Sequence, residues 1–167
     1  MVQIKESNMV FGNYDDEELF YIEESDIYKT ICIKQISSVE FILHKDDNLL
    51  FVEAKSSAPN PEGKGGQERF QEFLDEIFDK FVDSLEIFQR VWIERGLRTK
   101  IGSVNINDTK LVFLLVIHGF KKEWLIPIRD ELQKKISGRK TMNVLWRPQV
   151  LVINDTQAMS KGLLMER

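Results

Sequence analysis

Cysteine and histidine are scarce in this sequence, which has Cys32 as its one cysteine and two histidines among 167 residues. A single thiol excludes an intrachain disulfide, and the few cysteine and histidine positions lack the spacing of a zinc site. Cys32 also stands in an apolar run, without a neighbouring base that would mark it as a nucleophile. This cysteine usage fits a reducing compartment, so we expect a cytoplasmic protein.

Long hydrophobic runs and an excess of positive charge are also missing. No apolar stretch approaches the roughly 20 residues that cross a bilayer, and no basic-then-apolar leader opens the chain, so we expect no membrane partner. The segment Gly63-Lys64-Gly65-Gly66 lacks the spacing of a nucleotide-binding phosphate loop. Because the net charge is -4, contact with nucleic acid would have to depend on local clusters of lysine and arginine.

The sequence does have the composition of a folded globular protein, with 43% hydrophobic and 30% charged residues. We expect one domain covering residues 1–167. Apolar periodicity predicts an extended segment Ile31–His44, open to an interruption near Gln35–Ser38, that pairs with Leu49–Ser56. A long helix from Gln67 to about Arg95, a buried strand Lys110–Ile117 and a helix from Glu123 to about Ser137 follow. The last predicted element is a strand Met142–Ile153, in which Pro148 indicates an interruption or an edge position. This order predicts an α/β protein with a mixed central β-sheet flanked by helices.

Residues 19–30 fit two interpretations. One is a short strand followed by a helical turn, and the other is one short helix. Ser25 is placed to cap such a turn, and Asp26 would be favourable in its first residues.

The predicted hairpin carries charge inside strands that are otherwise apolar. Glu40 lies on the first strand, and Glu53 and Lys55 lie on the second. A buried charge is costly unless it is paired or holds a metal. Because Glu53 and Lys55 are two residues apart, they project from the same face of a strand, and their apolar neighbours form a plain hydrophobic face on the other side.

The turn decides which of these charges oppose each other. It is expected within Lys45-Asp46-Asp47-Asn48, which is rich in turn-forming residues. A loop of the two central residues, or of all four, places Glu40 across from Glu53, whereas a turn at Asp47-Asn48 places Glu40 across from Lys55. Every such even-length loop leaves Glu40 on the face of Glu53 and Lys55, since the side-chain period of a strand is two.

Two explanations of this charge stay open from the residues alone. Opposed carboxylates with Cβ atoms roughly 5 Å apart repel each other, and Mg²⁺ or Mn²⁺ between Glu40 and Glu53 would remove the repulsion. Lys55 would add a positive charge that can hold a hydroxide or a phosphate oxygen. Alternatively, the charges form an ordinary cross-strand pair of glutamate and lysine that stabilises a half-exposed hairpin.

The pattern of Glu40, twelve intervening residues and Glu53-Ala54-Lys55, followed by a helix and further strands, resembles the PD-(D/E)xK nuclease superfamily. Members carry a carboxylate on one core strand and a (D/E)-x-K triplet on the next. The resemblance covers roughly residues 20–120 in order of elements and implies a restriction-endonuclease-like fold. The chain departs from the pattern at Glu40, where the family usually has Asp, and at Val39, which stands in place of Pro.

The resemblance also implies roles for individual residues. Glu40 and Glu53 would ligate Mg²⁺, the Ala54 backbone carbonyl would add a ligand, and Lys55 would position or deprotonate the attacking water. The resemblance also implies that an N-terminal acid, Glu24 or its neighbour Glu23, supplies a further metal contact. A glutamine of the following helix, Gln67 or Gln71, would approach the site.

The sequence therefore predicts a Mg²⁺-dependent phosphodiesterase that cleaves DNA. A homodimer would suit the cutting of both strands of a duplex. The alternative is a catalytically silent protein with the same fold that acts as a protein or nucleic-acid interaction module, with Glu40 and Lys55 as a structural ion pair.

Overall fold

The computed structural model describes residues 1–31, 36–60, 63, 66–94 and 100–165. The strands within these residues are β1 (Val2–Glu6), β2 (Met9–Tyr14), β3 (Leu19–Phe20), β4 (Phe41–Lys45), β5 (Asn48–Lys55), β6 (Lys110–Ile117) and β7 (Gln149–Asn154). The α-helices are α1 (Asp26–Ile31), α2 (Gln67–Ile93), α3 (Lys122–Gly138), α4 (Lys140–Leu145) and α5 (Asp155–Ser160). Within the described ranges, no helix has the length and apolarity needed to cross a bilayer.

The central sheet has five strands in the order β3-β4-β5-β6-β7. The first three strands pair antiparallel, and β5, β6 and β7 pair parallel. The two parallel connections run through α2 and through the α3–α4 segment, as parallel pairing requires. The predicted α/β class with a mixed sheet and flanking helices is therefore confirmed.

Both faces of the sheet are buried. Helices α2 and α3 pack on the face that carries Leu49 and Phe51 of β5. The β1–β2 hairpin and α5 pack on the opposite face, where the side chains of Leu50 and Val52 point. This two-sided coverage explains why β5 and β6 are almost continuously apolar, and it makes a charge on either strand expensive.

The turn between β4 and β5 has the first of the predicted registers. Asp46 and Asp47 form a two-residue loop with φ values of 50° and 58°, and Lys45 pairs with Asn48. The Asn48 side-chain amide donates to the backbone carbonyl of Asp46 at 2.7 Å, which stabilises the tight turn. This register extends to Phe41 and Val52, the last pair of the ladder, so Glu40 lies just beyond the paired residues.

The extended segment predicted from Ile31 to His44 is wrong at Ile31 and confirmed over Phe41–His44, and residues 36–39 belong to no strand, as the predicted interruption near Gln35–Ser38 implies. Ile31 is the last residue of α1, residues 32–35 lie outside the described part of the chain, and β4 begins only at Phe41. The reason is visible at Val39, whose backbone N–H donates to Ser84 Oγ of α2 at 2.8 Å instead of joining a neighbouring strand. The ladder therefore ends at Glu40, whose N–H donates to the Val52 carbonyl at 3.0 Å.

The predicted strand Met142–Ile153 is wrong in its first half. Residues 140–145 form α4, and β7 begins at Gln149, directly after Pro148. Proline has no N–H to give to a sheet ladder, so the strand starts behind it, and β7 lies at the edge of the sheet. The other predicted elements are confirmed within one or two residues, except that Arg95, the predicted end of the long helix, lies outside the described residues.

The two ends of the chain contain elements that the periodicity did not predict. The β1–β2 hairpin turns at Ser7 and Asn8, a weaker turn signal than the Asn-Gly pair that such turns favour. Helix α5 is introduced by a capping box of Asn154 and Gln157. Of the two interpretations of residues 19–30, the strand followed by a helical turn is the one found, with Ser25 Oγ accepting from Tyr28 N–H at 3.1 Å.

We expect Ser84→Ala to lower the free energy of unfolding by about 1–3 kcal/mol, because it leaves the buried N–H of Val39 without an acceptor. The exposed Ser160, substituted in the same way at the end of α5, is the control, and its change should stay within about 0.5 kcal/mol. Urea unfolding of the three proteins measures both. Equal stability of S84A and S160A would show that the Val39–Ser84 bond does not anchor the start of β4.

Candidate functional site

The centre of the site is the carboxylate of Glu53, which has 0% solvent exposure. Its Oε1 atom lies 2.7 Å from Lys80 Nζ and 3.3 Å from Lys55 Nζ. Its Oε2 atom is buried and has no hydrogen-bond partner among the described residues. Burial raises the pKa of Glu53, while the two lysines act in the opposite direction.

Glu40 lies one residue before β4, beyond the last pair of the β4–β5 ladder. Its side chain is half-buried, and burial is the main cause that raises its pKa to about 7. The negative charges of Glu53 and then Glu6 act in the same direction, and Lys80 opposes them. The negative charge of Glu53 therefore disfavours the ionised form of Glu40, as a like charge nearby does.

Lys55 completes the predicted triplet, and its ammonium group is held by two carboxylates. Its Nζ lies 2.6 Å from Glu76 Oε1 of α2 and 3.3 Å from Glu53 Oε1, with 23% of its side chain exposed. Burial lowers the pKa of Lys55, but its bonds to Glu76 and Glu53 outweigh burial and leave the pKa raised. Lys55 is therefore an ammonium at neutral pH. The predicted ion pair between Glu40 and Lys55 is absent among the described side chains.

Helix α2 supplies two residues of the site that the sequence analysis missed. Glu76 and Lys80 are one turn apart, so they project from the same side of the helix, toward Lys55 and Glu53 respectively. A signal was present in the sequence: positions 73, 77, 80, 84 and 88 form one ridge of the helix, and the ridge is apolar except for Lys80 and Ser84. Polar residues within an apolar ridge indicate a polar group on the facing sheet.

The Ala54 carbonyl, predicted as a metal ligand, has a hydrogen bond in this structure. Ser7 Oγ, at the tip of the β1–β2 hairpin, donates to it at 3.0 Å. The carbonyl points to the same edge of β5 as that of Val52, which bonds Glu40, so it lies beside the end of the β4 ladder. The N-terminal hairpin therefore reaches the edge of the site, a contact that no sequence pattern indicated.

The remaining predicted contributors lie at different distances from this centre. Glu24 is exposed, and its charge acts on Tyr21. Glu23 accepts a hydrogen bond from Ser38 Oγ at 3.2 Å and is among the charges that raise the pKa of Glu40, so it is the closer of the two acids. Gln67 is exposed at the start of α2, and Gln71 donates to Asp75 on the same helix.

The donor set of this site fits a hard divalent cation. Glu53 offers a buried Oε2 atom that has no hydrogen-bond partner among the described residues, and Glu40 is a second carboxylate whose pKa responds to the charge of Glu53. No cluster of three or more histidine, cysteine, aspartate or glutamate side chains suited to a metal occurs among the described residues. The protein would therefore supply few ligands, an arrangement typical of Mg²⁺, which keeps several waters and is often completed by substrate phosphate.

A cleft of about 500 Å³ opens beside Lys55. Its walls come from the segment after β5, including Ser57 and Asn60, and from the first turns of α2, including Arg69 and Phe73. Lys55 and Glu76 also line it. The cleft thus connects the charged centre with solvent and places a second cation, Arg69, along its wall.

Comparison with known proteins gives no relative of this chain: no protein-family model matches it, and no curated protein or solved structure matches it significantly.

The position of Glu40 predicts that stability falls as pH rises. Its pKa is about 7 in the folded protein and close to 4.5 when exposed, so the folded state holds a proton that the unfolded state releases between these values. In metal-free buffer, raising the pH from about 5 to 8 should therefore cost about 1–3 kcal/mol of unfolding free energy. Glu40→Gln cannot ionise and should remove most of this loss.

Chemical denaturation of the wild type and E40Q across this pH range measures the effect. Glu86→Gln, an exposed change of the same charge on α2, is the control and should follow the wild-type curve. A wild-type stability that stays level or rises over this range, relative to E40Q, would contradict the prediction.

Proposed function

We propose that this protein is a Mg²⁺-dependent phosphodiesterase of the PD-(D/E)xK type that cleaves DNA. The observation that carries the proposal is the buried carboxylate of Glu53, whose Oε2 atom has no hydrogen-bond partner among the described residues and whose Oε1 atom lies 3.3 Å from Lys55 of the triplet. Burial, and after it the negative charge of Glu53, raises the pKa of Glu40, so both carboxylates would be stabilised by an added positive charge. A divalent cation held by these two carboxylates supplies that charge.

Each residue of the triplet then has a chemical task. Glu40 and Glu53 would hold the cation, with the Ala54 carbonyl joining them when Ser7 releases it. When bound, the cation supplies Lewis-acid chemistry, lowering the pKa of a bound water and neutralising charge on the phosphate. Lys55, as an ammonium, donates a hydrogen bond to the attacking oxygen or to a phosphate oxygen, and so its role is positioning and charge stabilisation instead of proton removal.

The order of elements supports the restriction-endonuclease-like part of the proposal. An antiparallel pair, β4 and β5, carries the acid and the triplet, helix α2 follows, and β6 then pairs parallel with β5. This is the order that the resemblance implies. The five-stranded sheet extends it by β3 on one side and β7 on the other.

DNA as the substrate is supported by the cleft next to Lys55. Arg69 and Lys55 both line the cleft and offer two cations for a phosphodiester backbone. Because the net charge is -4, the rest of the surface would repel the phosphates of DNA, and contact would be confined to this cleft. A homodimer would present two clefts to one duplex.

One observation favours the silent alternative, an interaction module with the same fold. Two lysines already lie within 3.3 Å of Glu53 Oε1, so the carboxylate has cationic partners without a metal. Metal binding separates the two functions, because only the phosphodiesterase requires it.

We expect the wild type to bind Mn²⁺, and Glu40→Gln and Glu53→Gln each to weaken that binding by about 100-fold or more, because each removes a carboxylate ligand. Lys55→Ala should keep Mn²⁺ binding and lower the DNA cleavage rate by about 100-fold or more, since it removes a donor to the reacting phosphate. Calorimetric titration and a plasmid cleavage assay give the two measurements.

Glu86→Gln is the matched control and should retain both properties. Wild-type protein that binds no Mn²⁺, or cleavage that survives Glu53→Gln and Lys55→Ala unchanged, would refute the phosphodiesterase and leave the interaction module.

The cleft generates a separate prediction about DNA affinity. In a Glu53→Gln background, which prevents cleavage, Arg69→Ala should weaken binding equally for unrelated DNA sequences and lower the salt dependence by about one phosphate contact. Arg129→Ala removes an exposed arginine from α3 and should leave affinity unchanged. Fluorescence anisotropy at several salt concentrations makes the comparison. Equal effects of the two substitutions would exclude the cleft as the DNA-binding surface.

A further inference from the structure

Lys80 lies at the centre of the site, yet the proposed reaction gives it no role. Its Nζ is 2.7 Å from Glu53 Oε1, closer than that of Lys55 at 3.3 Å. Only 19% of its side chain is exposed. Glu53 is the one carboxylate within ion-pair distance of Lys80 among the described residues. Lys80 is thus directed at Glu53 and is more than a solvated residue on the helix surface.

Lys80 and a divalent metal would compete for the same carboxylate, that of Glu53. Mg²⁺ binds carboxylate oxygen at about 2.0–2.1 Å, which is shorter than the 2.7 Å between Lys80 Nζ and Glu53 Oε1. Both cations would neutralise the negative charge of the same buried carboxylate. A lysine ammonium is carried on a flexible four-carbon stem and can withdraw, whereas a guanidinium or a backbone group could do so less easily. Lys55 differs from Lys80 because Glu76 holds it at 2.6 Å independently of Glu53.

We propose that Lys80 is an internal cation that occupies Glu53 in the metal-free protein and competes with the divalent metal for it. Lys80 then sets the metal affinity of the site, and it keeps the buried carboxylate compensated when no metal is present. This proposal rests on the metal site of the proposed function, and it adds a residue of α2 that determines how readily that site fills.

The test is a Mn²⁺ titration of chelator-treated wild type, Lys80→Met and Lys80→Gln. Methionine removes the charge and keeps the length of the side chain, and glutamine retains a hydrogen-bond donor to Glu53 in case the methionine variant does not fold. We expect both variants to bind Mn²⁺ about tenfold more tightly than the wild type, since the competing charge is gone. Lys80→Arg keeps the charge and should bind no more tightly than the wild type.

Arg90→Met is the matched control, because it removes one positive charge from the same helix at an exposed position. Its affinity should equal that of the wild type. A second measurement is the rise in melting temperature at saturating Mn²⁺, which should be larger for the Lys80 variants than for the wild type. A merely structural Lys80 would lower the stability of both states alike and leave the affinity unchanged.

The outcomes separate this proposal from the proposed function. If the wild type binds Mn²⁺ and the Lys80 variants bind it with the same affinity, competition by Lys80 is refuted and the metal site stands. If only the Lys80 variants bind, Lys80 blocks the site, the proposal is upheld, and the wild type is the silent relative. If no variant binds Mn²⁺, both proposals are overturned.

Discussion

The carboxylate of Glu53 is the constraint around which this structure is arranged. It is completely buried on a strand whose two faces are covered, between Phe51 and the lysine of the triplet. Burial of an ionised carboxylate costs several kcal/mol even after relaxation, which is about the whole net stability of a small domain. Lys55 and Lys80 make that burial tolerable, because their ammonium groups lie within 3.3 Å of Glu53 Oε1.

The sequence predicts this centre because its placement follows local rules. A side-chain period of two puts Glu53 and Lys55 on one face, and a two-residue turn of aspartates sets the register that ends with Phe41 opposite Val52, which brings Glu40 to the end of the ladder. Both rules act within fifteen residues and do not depend on the rest of the fold. The long helix and the buried strand β6 are predictable for a related reason, since each has a long, unbroken apolar pattern.

The features of the site that the sequence does not predict depend on contacts between residues that are far apart in the chain. The contact of Lys80 with Glu53 depends on how α2 lies across the sheet, and periodicity gives the ridge but not the residue it faces. The contact of Ser7 with the Ala54 carbonyl joins residues 47 positions apart through a hairpin with weak turn signals. The break in the strand before Glu40 has the same origin, because Ser84 of the distant helix accepts from the Val39 N–H that a continuing strand would have used.

The ion pairs of the site leave part of its negative charge without a positive partner. Three carboxylates, those of Glu40, Glu53 and Glu76, face the two ammonium groups of Lys55 and Lys80. Glu76 is half-exposed and holds Lys55, so the deficit of positive charge falls on Glu40 and Glu53. Burial is the main cause that raises the pKa of Glu40 to about 7, and the negative charge of Glu53 adds to it. A purely structural network gains nothing from such a deficit, since an apolar residue at position 40 would pack there without cost. A site that exchanges an internal ammonium for a divalent cation gains from it, because the second positive charge of the incoming ion is the one that the pair lacks.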